Sequence, residues 1–235
     1  MIKLYCPVRK VVMQGSWIIE NPTIQQLRRA ISLSGQGFGV NLHPDPNFYP
    51  SLGLVAHNGL DIACPRETEI LAAHDGKVAY VQNDFKAGYG IVINAPSFKT
   101  IYWHQLRNLV QVGQKIKAGD VIGLCDNTGL STGDHLHFGL KLLDSNGNTL
   151  PNPGYDGAVD PTPYLVERDS NMTYRLVKVK DGKDVFRIKD GKRDLFLNGH
   201  SFTSLDGRWS AIEEIQQSEL DTYPEGEVLV SVANE

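Results

Sequence analysis

Five residues have the side-chain types and spacing that could form a hydrolytic metal site. They are His57, Asp61, His104, His135 and His137. Two imidazoles and one carboxylate give a zinc site with three protein ligands, and its fourth position is left for water. Zinc lowers the pKa of bound water towards ~7 and polarises a carbonyl group, as hydrolysis requires. The set therefore predicts one zinc ion per chain in an open, hydrolytic site.

His135 and His137 lie two positions apart on a predicted strand. Both side chains then leave the same face of the sheet, ~6.6 Å apart along the backbone. Only one of them needs to bind the metal, because the other would stand beside it and could move a proton. His104 ends the run Ile101-Tyr-Trp-His, where a half-buried strand histidine without a special role is the plainer interpretation of that residue alone.

His57 and Asp61 would be ~13 Å apart if their segment were fully extended. The dipeptide Asn58-Gly59 between them favours a turn, which can bring the two side chains to one centre. A histidine and an aspartate at this spacing occur readily by chance, so the prediction depends on this convergence rather than on the motif.

The elements that must position these residues belong to a mainly β fold. From Gly35 to Leu143, short alternating apolar runs broken by Gly, Asp and Asn predict an antiparallel two-sheet or barrel-like unit. Asp75-Gly76 predicts a hairpin between strands at 69–74 and 77–82. Further strands are predicted at 90–94, 100–104, 115–117, 121–125 and 135–143, with turns at 95–99 and 118–120.

A short helix is predicted in the N-terminal segment, residues 1–34. Asn21 is a candidate N-cap and Pro22 suits the first helical position. Apolar residues then recur at helical spacing, at Ile24, Leu27, Ile31 and Leu33. On the other side of the β unit, residues 144–163 contain four prolines and predict a wrapping loop or linker.

Composition excludes several classes of protein. Of the 235 residues, 41% are hydrophobic and 21% charged, as is typical of globular domains. No apolar run approaches the ~20 residues of a membrane helix, so no membrane insertion is expected. The net charge of -4 argues against a nucleic-acid partner. The first residues lack the apolar core of a signal peptide, so none is expected.

The three cysteines, Cys6, Cys64 and Cys125, are odd in number and have no Cys-x-x-Cys spacing. They cannot form a thiolate zinc site and do not indicate a disulfide scaffold. Cys64 and Cys125 are instead expected to be small, buried apolar side chains.

Six segments of the β unit follow one another over about 110 residues: Gly35-Gln-Gly-Phe-Gly, His57-Asn-Gly-Leu-Asp61-Ile-Ala, Ala73-His-Asp-Gly-Lys-Val, Tyr102-Trp-His104-Gln-Leu, Val112-Gly-Gln-Lys-Ile-Lys-Ala-Gly-Asp-Val-Ile-Gly and Gly129-Leu-Ser-Thr-Gly-Asp-His135-Leu-His137-Phe. In these segments, their order and their spacing, the unit resembles the lysostaphin/LytM-type family of zinc endopeptidases, which cut peptide bonds in bacterial peptidoglycan.

The resemblance implies Zn²⁺ bound by His57, Asp61 and His137, with His104 and His135 as the catalytic pair. Which of the two histidines is the base stays open. The resemblance also implies a peptidoglycan peptide as substrate, in a stem or a cross-bridge, and action at the bacterial cell wall, whether extracellular, periplasmic or after release from a virion or lysed cell. A monomer is expected.

The domains are predicted as the N-terminal segment 1–34, the zinc endopeptidase domain 35–166 and a small β-rich module 172–235. The module repeats Lys-Asp-Gly-Lys at 180–183 and 189–192, which predicts a three-stranded meander. A helical turn is predicted at 210–216. The module resembles repeats appended to bacterial wall-associated proteins, and both wall targeting and a structural role are open for it.

Two alternatives to an active enzyme are considered. The first is a catalytically inactive member of the same fold that binds peptidoglycan or activates another wall hydrolase. Such relatives typically lack several metal ligands, whereas all five candidate residues are present here. The second is a lipoyl-like β module, suggested by Lys117-Ala-Gly-Asp-Val-Ile-Gly, but no convincing modifiable lysine stands at a hairpin tip.

Overall fold

The computed structural model describes residues 1–13, 17–167, 174–189, 192–196 and 212–229. The chain forms two compact units, Met1–Arg168 and Asp169–Glu235. The helices of the first unit are α1 (Ile24–Ser34), α2 (Phe48–Ser51) and a 3-10 helix (Thr162–Tyr164). Its strands are β1 (Lys10–Met13), β2 (Trp17–Glu20), β3 (Leu60–Ala63), β4 (Glu69–Leu71), β5 (Gly76–Asp84), β6 (Gly88–Asn94), β7 (Phe98–Asn108), β8 (Lys115–Ile116), β9 (Val121–Cys125), β10 (His135–Leu142) and β11 (Ala158–Val159).

Nine of these strands form one sheet, and its main path has the order β11-β10-β7-β6-β5-β8. Strand β3 pairs with β10, and β9 pairs with both β4 and β7. All of these pairings are antiparallel. The mainly β, antiparallel class expected from the sequence is therefore confirmed, although the described strands do not close into a barrel.

The hairpin predicted at Asp75-Gly76 is wrong, whereas the turns predicted near 95–99 and 118–120 are present. The strands on either side of Asp75-Gly76 do not pair, because β4 pairs with β9 while β5 pairs with β6 and β8. Strands β8 and β9 likewise pair with other partners rather than with each other. Local turn chemistry was overridden here by long-range pairing. The hairpin of β6 and β7 around residues 95–97 forms as expected.

Helix α1 begins two residues later than a cap at Asn21 would require. Thr23 is the N-cap, and its hydroxyl accepts the N–H of Gln26 while the Gln26 side chain accepts the N–H of Thr23. This reciprocal capping box satisfies two backbone donors at the helix start. The buried face contains Ala30 in addition to the expected apolar residues, whereas Leu33 is 43% exposed.

The core of the first unit lies between α1 and the sheet. Leu27 of α1 is fully buried with side chains of the central strands: Ile62, Ile91, Tyr102, Leu136 and Phe138. Burial of each large apolar side chain stabilises the fold by about 1.5–3 kcal/mol. The strands that carry the candidate site therefore have a rigid support on one face.

The expectation that Cys64 and Cys125 are separate apolar side chains is wrong, since the structure joins them in a disulfide. Cys64 directly follows β3 and Cys125 ends β9. Both residues are buried, as expected, but no spacing pattern in the sequence indicated that strands 61 residues apart would bring them together.

The second unit contains a five-stranded sheet of order β15-β12-β13-β14-β16. Its elements are β12 (Tyr174–Val179), β13 (Val185–Lys189), β14 (Lys192–Phe196), β15 (Ile212–Ile215), α3 (Gln217–Leu220) and β16 (Glu225–Leu229). Strands β12 to β14 form the expected antiparallel meander. The helical turn predicted at 210–216 is wrong where it is described, because residues 212–215 form a strand that pairs in parallel with β12.

No helix in the described parts of the chain combines the length and apolar character needed to cross a membrane.

Candidate metal centre

The candidate site lies where β3, β10 and β7 run side by side. Asp61 on β3 stands directly opposite His137 on β10, and His137 stands opposite Trp103 on β7. Residues directly opposite in antiparallel strands project from the same face of the sheet. The register of three strands therefore places a carboxylate, an imidazole and an indole ring on one surface.

His57 reaches the same surface from the segment that precedes β3, where a bend at Gly59 stands in place of the turn expected at Asn58-Gly59. Its backbone N–H donates to the Val40 carbonyl at 3.2 Å, and its ring Nδ1 lies 3.1 Å from the Gly37 carbonyl oxygen. A carbonyl can only accept, so Nδ1 carries a proton, and in the neutral ring Nε2 has a lone pair. A backbone carbonyl in this role fixes the tautomer and orientation of a metal-binding histidine.

Three ligand atoms converge at this point. His57 Nε2 lies 3.0 Å from His137 Nδ1 and 3.0 Å from Asp61 Oδ1, and His137 Nδ1 lies 3.1 Å from Asp61 Oδ1. Ligands of tetrahedral zinc, with bonds of about 2.0–2.1 Å, lie about 3.4 Å apart. The nearly equilateral triangle of two nitrogens and one oxygen therefore fits a single zinc ion. The structure brings together the three residues that the sequence analysis singled out as ligands.

The triad has the electrostatics of a cation site. Burial opposes ionisation of Asp61, but hydrogen bonds with His135, His137 and His57 hold the pKa of its carboxyl well below its usual value. Burial lowers the pKa of His137, although its hydrogen bond with Asp61 partly offsets this effect. Asp61 is therefore a carboxylate and His137 is biased towards the neutral imidazole, the forms in which both residues bind metal.

His104 and His135 flank the triad, and their ring centroids lie 4.8 Å apart. His104 Nδ1 lies 2.7 Å from the Thr128 carbonyl oxygen, and His135 Nδ1 lies 2.7 Å from the Gly133 carbonyl oxygen. Both Nδ1 atoms therefore donate a proton, and in the neutral ring each Nε2 has a free lone pair. The sequence placed these two histidines beside the metal ligands, and the structure brings them there.

The surroundings shift the pKa values of His104 and His135 in opposite directions. Burial lowers the pKa of His104 to about 3, with further lowering by His135 and His137. Burial also disfavours the charged form of His135, but its hydrogen bond with Asp61 and the charge of Asp61 raise its pKa overall. The contact that raises the His135 pKa joins Asp61 Oδ1 and His135 Nε2, which lie 3.5 Å apart.

His104 is directed into the site by an unusual backbone conformation. Neighbouring residues of a regular strand point to opposite faces, yet both Trp103 and His104 line the same groove. His104 has φ of 66°, in the left-handed region that a bulky residue rarely adopts. Such a conformation costs about 1–3 kcal/mol and is typically held by its surroundings at functional sites.

Two residues that sequence reasoning missed enclose the His137 ring. Trp103 stacks on it, with centroids 4.9 Å apart and an interplanar angle of 18°. On another side, a Cβ at Gly59 would lie 2.7 Å from His137 Cε1 and Nε2, so only glycine leaves room for the ring. The sequence shows a tryptophan next to His104, but it does not show the register between β7 and β10 that brings Trp103 against the His137 ring.

The site is the floor of an open groove of about 470 Å³. Its lining includes side chains of the segment 42–54, where Tyr49 lies 6.1 Å from His57 between ring centroids, and of Lys86 and the loop 130–132, which the Leu130 N–H joins to the Lys86 carbonyl. The lining residues are Gln36, Leu42, His43, Pro44, Phe48, Tyr49, Leu52, Leu54, His57, Asn58, Asp61, Lys86, Trp103, His104, Leu130, Ser131, Thr132, His135, His137 and Asp156.

The remaining histidines lie outside the metal cluster. His43 stacks on Phe48 in the groove wall, with centroids 3.9 Å apart. His74 is buried and hydrogen-bonds to Thr100. His200 lies outside the described residues.

The part of the chain that contains the candidate site is similar to known peptidases. Residues 55–151 match the model of peptidase family M23. The peptidoglycan DD-endopeptidase ShyA of Vibrio cholerae is 41% identical over 85 residues, which cover 36% of this chain and 20% of that protein. The DD-carboxypeptidase/endopeptidase Mpg of Neisseria meningitidis is 33% identical over 135 residues, which cover 56% of this chain and 28% of that protein.

Among solved structures, the catalytic domain of lysostaphin from Staphylococcus simulans aligns with a TM-score of 0.44 and 26% identity, over 55% of this chain and 89% of that domain. The chain matches 20% and 28% of the length of the two curated relatives above. The matched segment includes all five candidate site residues. Residues 55–151 of this chain are thus similar to the domains of peptidase family M23.

Proposed function

We propose that the protein is a zinc metalloendopeptidase that hydrolyses peptide bonds of bacterial peptidoglycan. The observation that carries the proposal is the triangle of His57 Nε2, Asp61 Oδ1 and His137 Nδ1, with sides of 3.0–3.1 Å, flanked by two further imidazoles on the floor of an open groove. The family match and the names of the two curated relatives support a peptidase that acts on peptidoglycan.

In this proposal His57, Asp61 and His137 hold the zinc ion. Bound there, zinc would supply a Lewis acid for the peptide carbonyl and would make a water molecule acidic at neutral pH. The Gly37 carbonyl keeps the lone pair of His57 Nε2 directed at the site. Trp103 and the space left by Gly59 hold the His137 ring in place.

His104 and His135 are the proposed catalytic pair. Because each Nδ1 donates to a backbone carbonyl, each neutral ring offers Nε2 as a proton acceptor. One ring can take the proton of the attacking water and return it to the leaving amine, and the other, once protonated, can donate a hydrogen bond to the developing oxyanion. Their partners hold both rings in position before substrate binds, which removes part of the entropic barrier.

The proposed endopeptidase domain spans residues 35–166, and the peptide bond that it cuts lies in a stem peptide or a cross-bridge. The groove wall formed by residues 42–54 offers apolar and aromatic side chains to the substrate.

Digestion of purified peptidoglycan sacculi by the full-length protein tests the proposal. Each peptide bond cut releases one new amino group, whereas cleavage of glycan releases none. We expect amino groups to appear with added zinc, to stop with a chelator and to be absent with His57→Ala. Mass spectrometry of the products identifies the bond. Release of soluble material without new amino groups, or full activity of His57→Ala, would contradict the proposal.

A further inference from the structure

The groove carries one uncompensated positive side chain outside the metal cluster. Its charged lining residues are Asp61, Lys86 and Asp156. Asp61 is engaged by the histidines, and Asp156 forms an ion pair with Lys141 at 2.8 Å. Among the described residues Lys86 has no ion-pair partner, so its charge is available to a ligand in the groove.

The backbone of Lys86 is anchored beside the proposed catalytic pair. Asp84 Oδ1 accepts the N–H groups of Lys86 and Ala87, both at 2.8 Å. The Lys86 carbonyl accepts the N–H of Leu130 at 3.0 Å, and the Ala87 carbonyl accepts the N–H of His104 at 2.9 Å. The exposed side chain of Lys86 therefore starts from a fixed point on the His104 side of the groove.

Asp84, the acidic residue nearest to Lys86 in sequence, already accepts hydrogen bonds with both carboxylate oxygens. Asp84 uses Oδ1 for the two backbone N–H groups of the turn and Oδ2 for the Gln82 side-chain amide at 2.9 Å. The segment 42–54 brings mainly apolar and aromatic side chains to the groove. The groove thus presents a cation together with an apolar surface.

We propose that Lys86 binds a carboxylate of the peptide substrate and makes the enzyme select peptides that carry one. The inference rests on the proposed function and adds the chemical class of substrate that the groove prefers. An ammonium group paired with a carboxylate forms a charge-assisted hydrogen bond, which is about twice as strong as a neutral one. The carboxylate is either the free C-terminus of the peptide or a carboxyl group elsewhere on it.

Binding measurements separate this inference from turnover. The protein is the zinc-loaded full chain with His135→Ala, which prevents hydrolysis, and the readout is the Kd from calorimetry. The probes are a cross-linked muropeptide, the same muropeptide with all carboxyl groups amidated, and a form amidated only at the C-terminus. We expect the first to bind about tenfold more tightly than the fully amidated form. The third probe identifies which carboxylate is bound.

Adding Lys86→Met to this protein should remove the tenfold preference, while Lys86→Arg should keep most of it. Lys115→Met is the matched control, because Lys115 is an exposed lysine of β8 that does not line the groove. Equal binding of the carboxylate and amidated probes, no measurable binding of either, or a preference that survives Lys86→Met would overturn the inference. If the preference is found but the wild-type chain cuts no peptidoglycan, the proposed function fails and the carboxylate site stands.

Discussion

The Asp61 carboxylate and the His137 imidazole face each other across neighbouring antiparallel strands, with Oδ1 3.1 Å from Nδ1. This single contact sets the geometry of the site, because β3 and β10 hold it through their backbone ladder rather than through flexible loops. A site built on paired strands is positioned more accurately than one built on loops. The consequences for metal binding, catalysis and stability can each be tested.

Gly59→Ala should weaken zinc binding at least tenfold without unfolding the protein. The added Cβ would lie 2.7 Å from the His137 ring and 2.9 Å from the Phe138 carbonyl, so the ring must move away from the triad. Loss of a group that orients a ligand typically reduces metal affinity about 10–100-fold. Zinc affinity is measured by competition with a chromogenic chelator.

Gly37→Ala is the matched control for this substitution. Its Cβ would meet only Val40 Cγ2, at an ordinary 3.6 Å, and the Gly37 carbonyl that holds His57 is unchanged. An equal loss of zinc affinity in both variants would show that the affinity does not depend on the space that Gly59 leaves beside the His137 ring.

Thr128→Ala should lower kcat about 10–100-fold and leave zinc content unchanged. The Thr128 hydroxyl donates to the Gln105 carbonyl at 2.6 Å and accepts the N–H of Tyr89 at 3.1 Å, which fixes the carbonyl that holds His104. A misplacement of about 1 Å at a reacting group can cost this much in rate. Thr128→Ser, which keeps the hydroxyl, should retain most of the activity. A normal kcat for Thr128→Ala would remove Thr128 from this positioning role.

Reduction of the disulfide should lower the free energy of unfolding by about 2–4 kcal/mol, because Cys64 and Cys125 close a long loop of the unfolded chain. Urea denaturation with and without a reducing agent measures the change. Cys64→Ala/Cys125→Ala should match the reduced protein and lose its response to the reductant. Cys6→Ser, outside the disulfide, should keep that response. If the wild-type protein were equally stable with and without reductant, the bond would have no stabilising role.

His74 should make the first unit less stable in acid. Burial lowers its native pKa, although the Asp75 carbonyl and charge partly offset this. Below about pH 6.5, its usual pKa, the unfolded chain therefore binds a proton that the native state resists. The stabilisation from neutral His74 is complete above that pH and is lost as the pH falls through the native pKa.

The measurement is the difference in unfolding free energy between wild type and His74→Gln, at about pH 7.5 and about pH 5. We expect the advantage of the wild type to shrink at the lower pH. Protonation of the metal-site histidines affects both proteins equally and cancels in the difference. An advantage that is independent of pH would contradict a proton-resistant His74.

Part of the candidate site was predictable from short spacings, and its division into ligands and catalytic pair came from the family resemblance. Two-residue spacing placed His135 and His137 on one face. The turn expected at Asn58-Gly59 is not formed, and His57 comes to Asp61 through a bend at Gly59. The contribution of Trp103 was not predictable, since it depends on the register between β7 and β10. The left-handed φ of 66° at His104 was hidden for the same reason, as no local signal marks a bulky residue that its neighbours hold in that conformation.

The fold class was also predictable, but strand partners were less so. Alternating apolar residues indicate a strand without saying which strand lies beside it. The dipeptide Asp75-Gly76 favours a hairpin locally, yet β4 gains a partner in β9 about 50 residues away, a pairing supported by the nearby disulfide. The helix start at Thr23 was missed because Asn21 and Pro22 also carry start signals, and only the capping box with Gln26 distinguishes them.

The zinc content of the five single alanine variants tests the central claim most directly. Each protein is loaded with zinc, freed of loosely bound metal and analysed by atomic absorption alongside circular dichroism. We predict about one zinc per chain in the wild type, His104→Ala and His135→Ala, with hydrolysis of peptidoglycan lost in both variants, and almost none in His57→Ala, Asp61→Ala and His137→Ala. A folded His137→Ala that keeps its zinc, or a folded His135→Ala that loses it, would contradict the account.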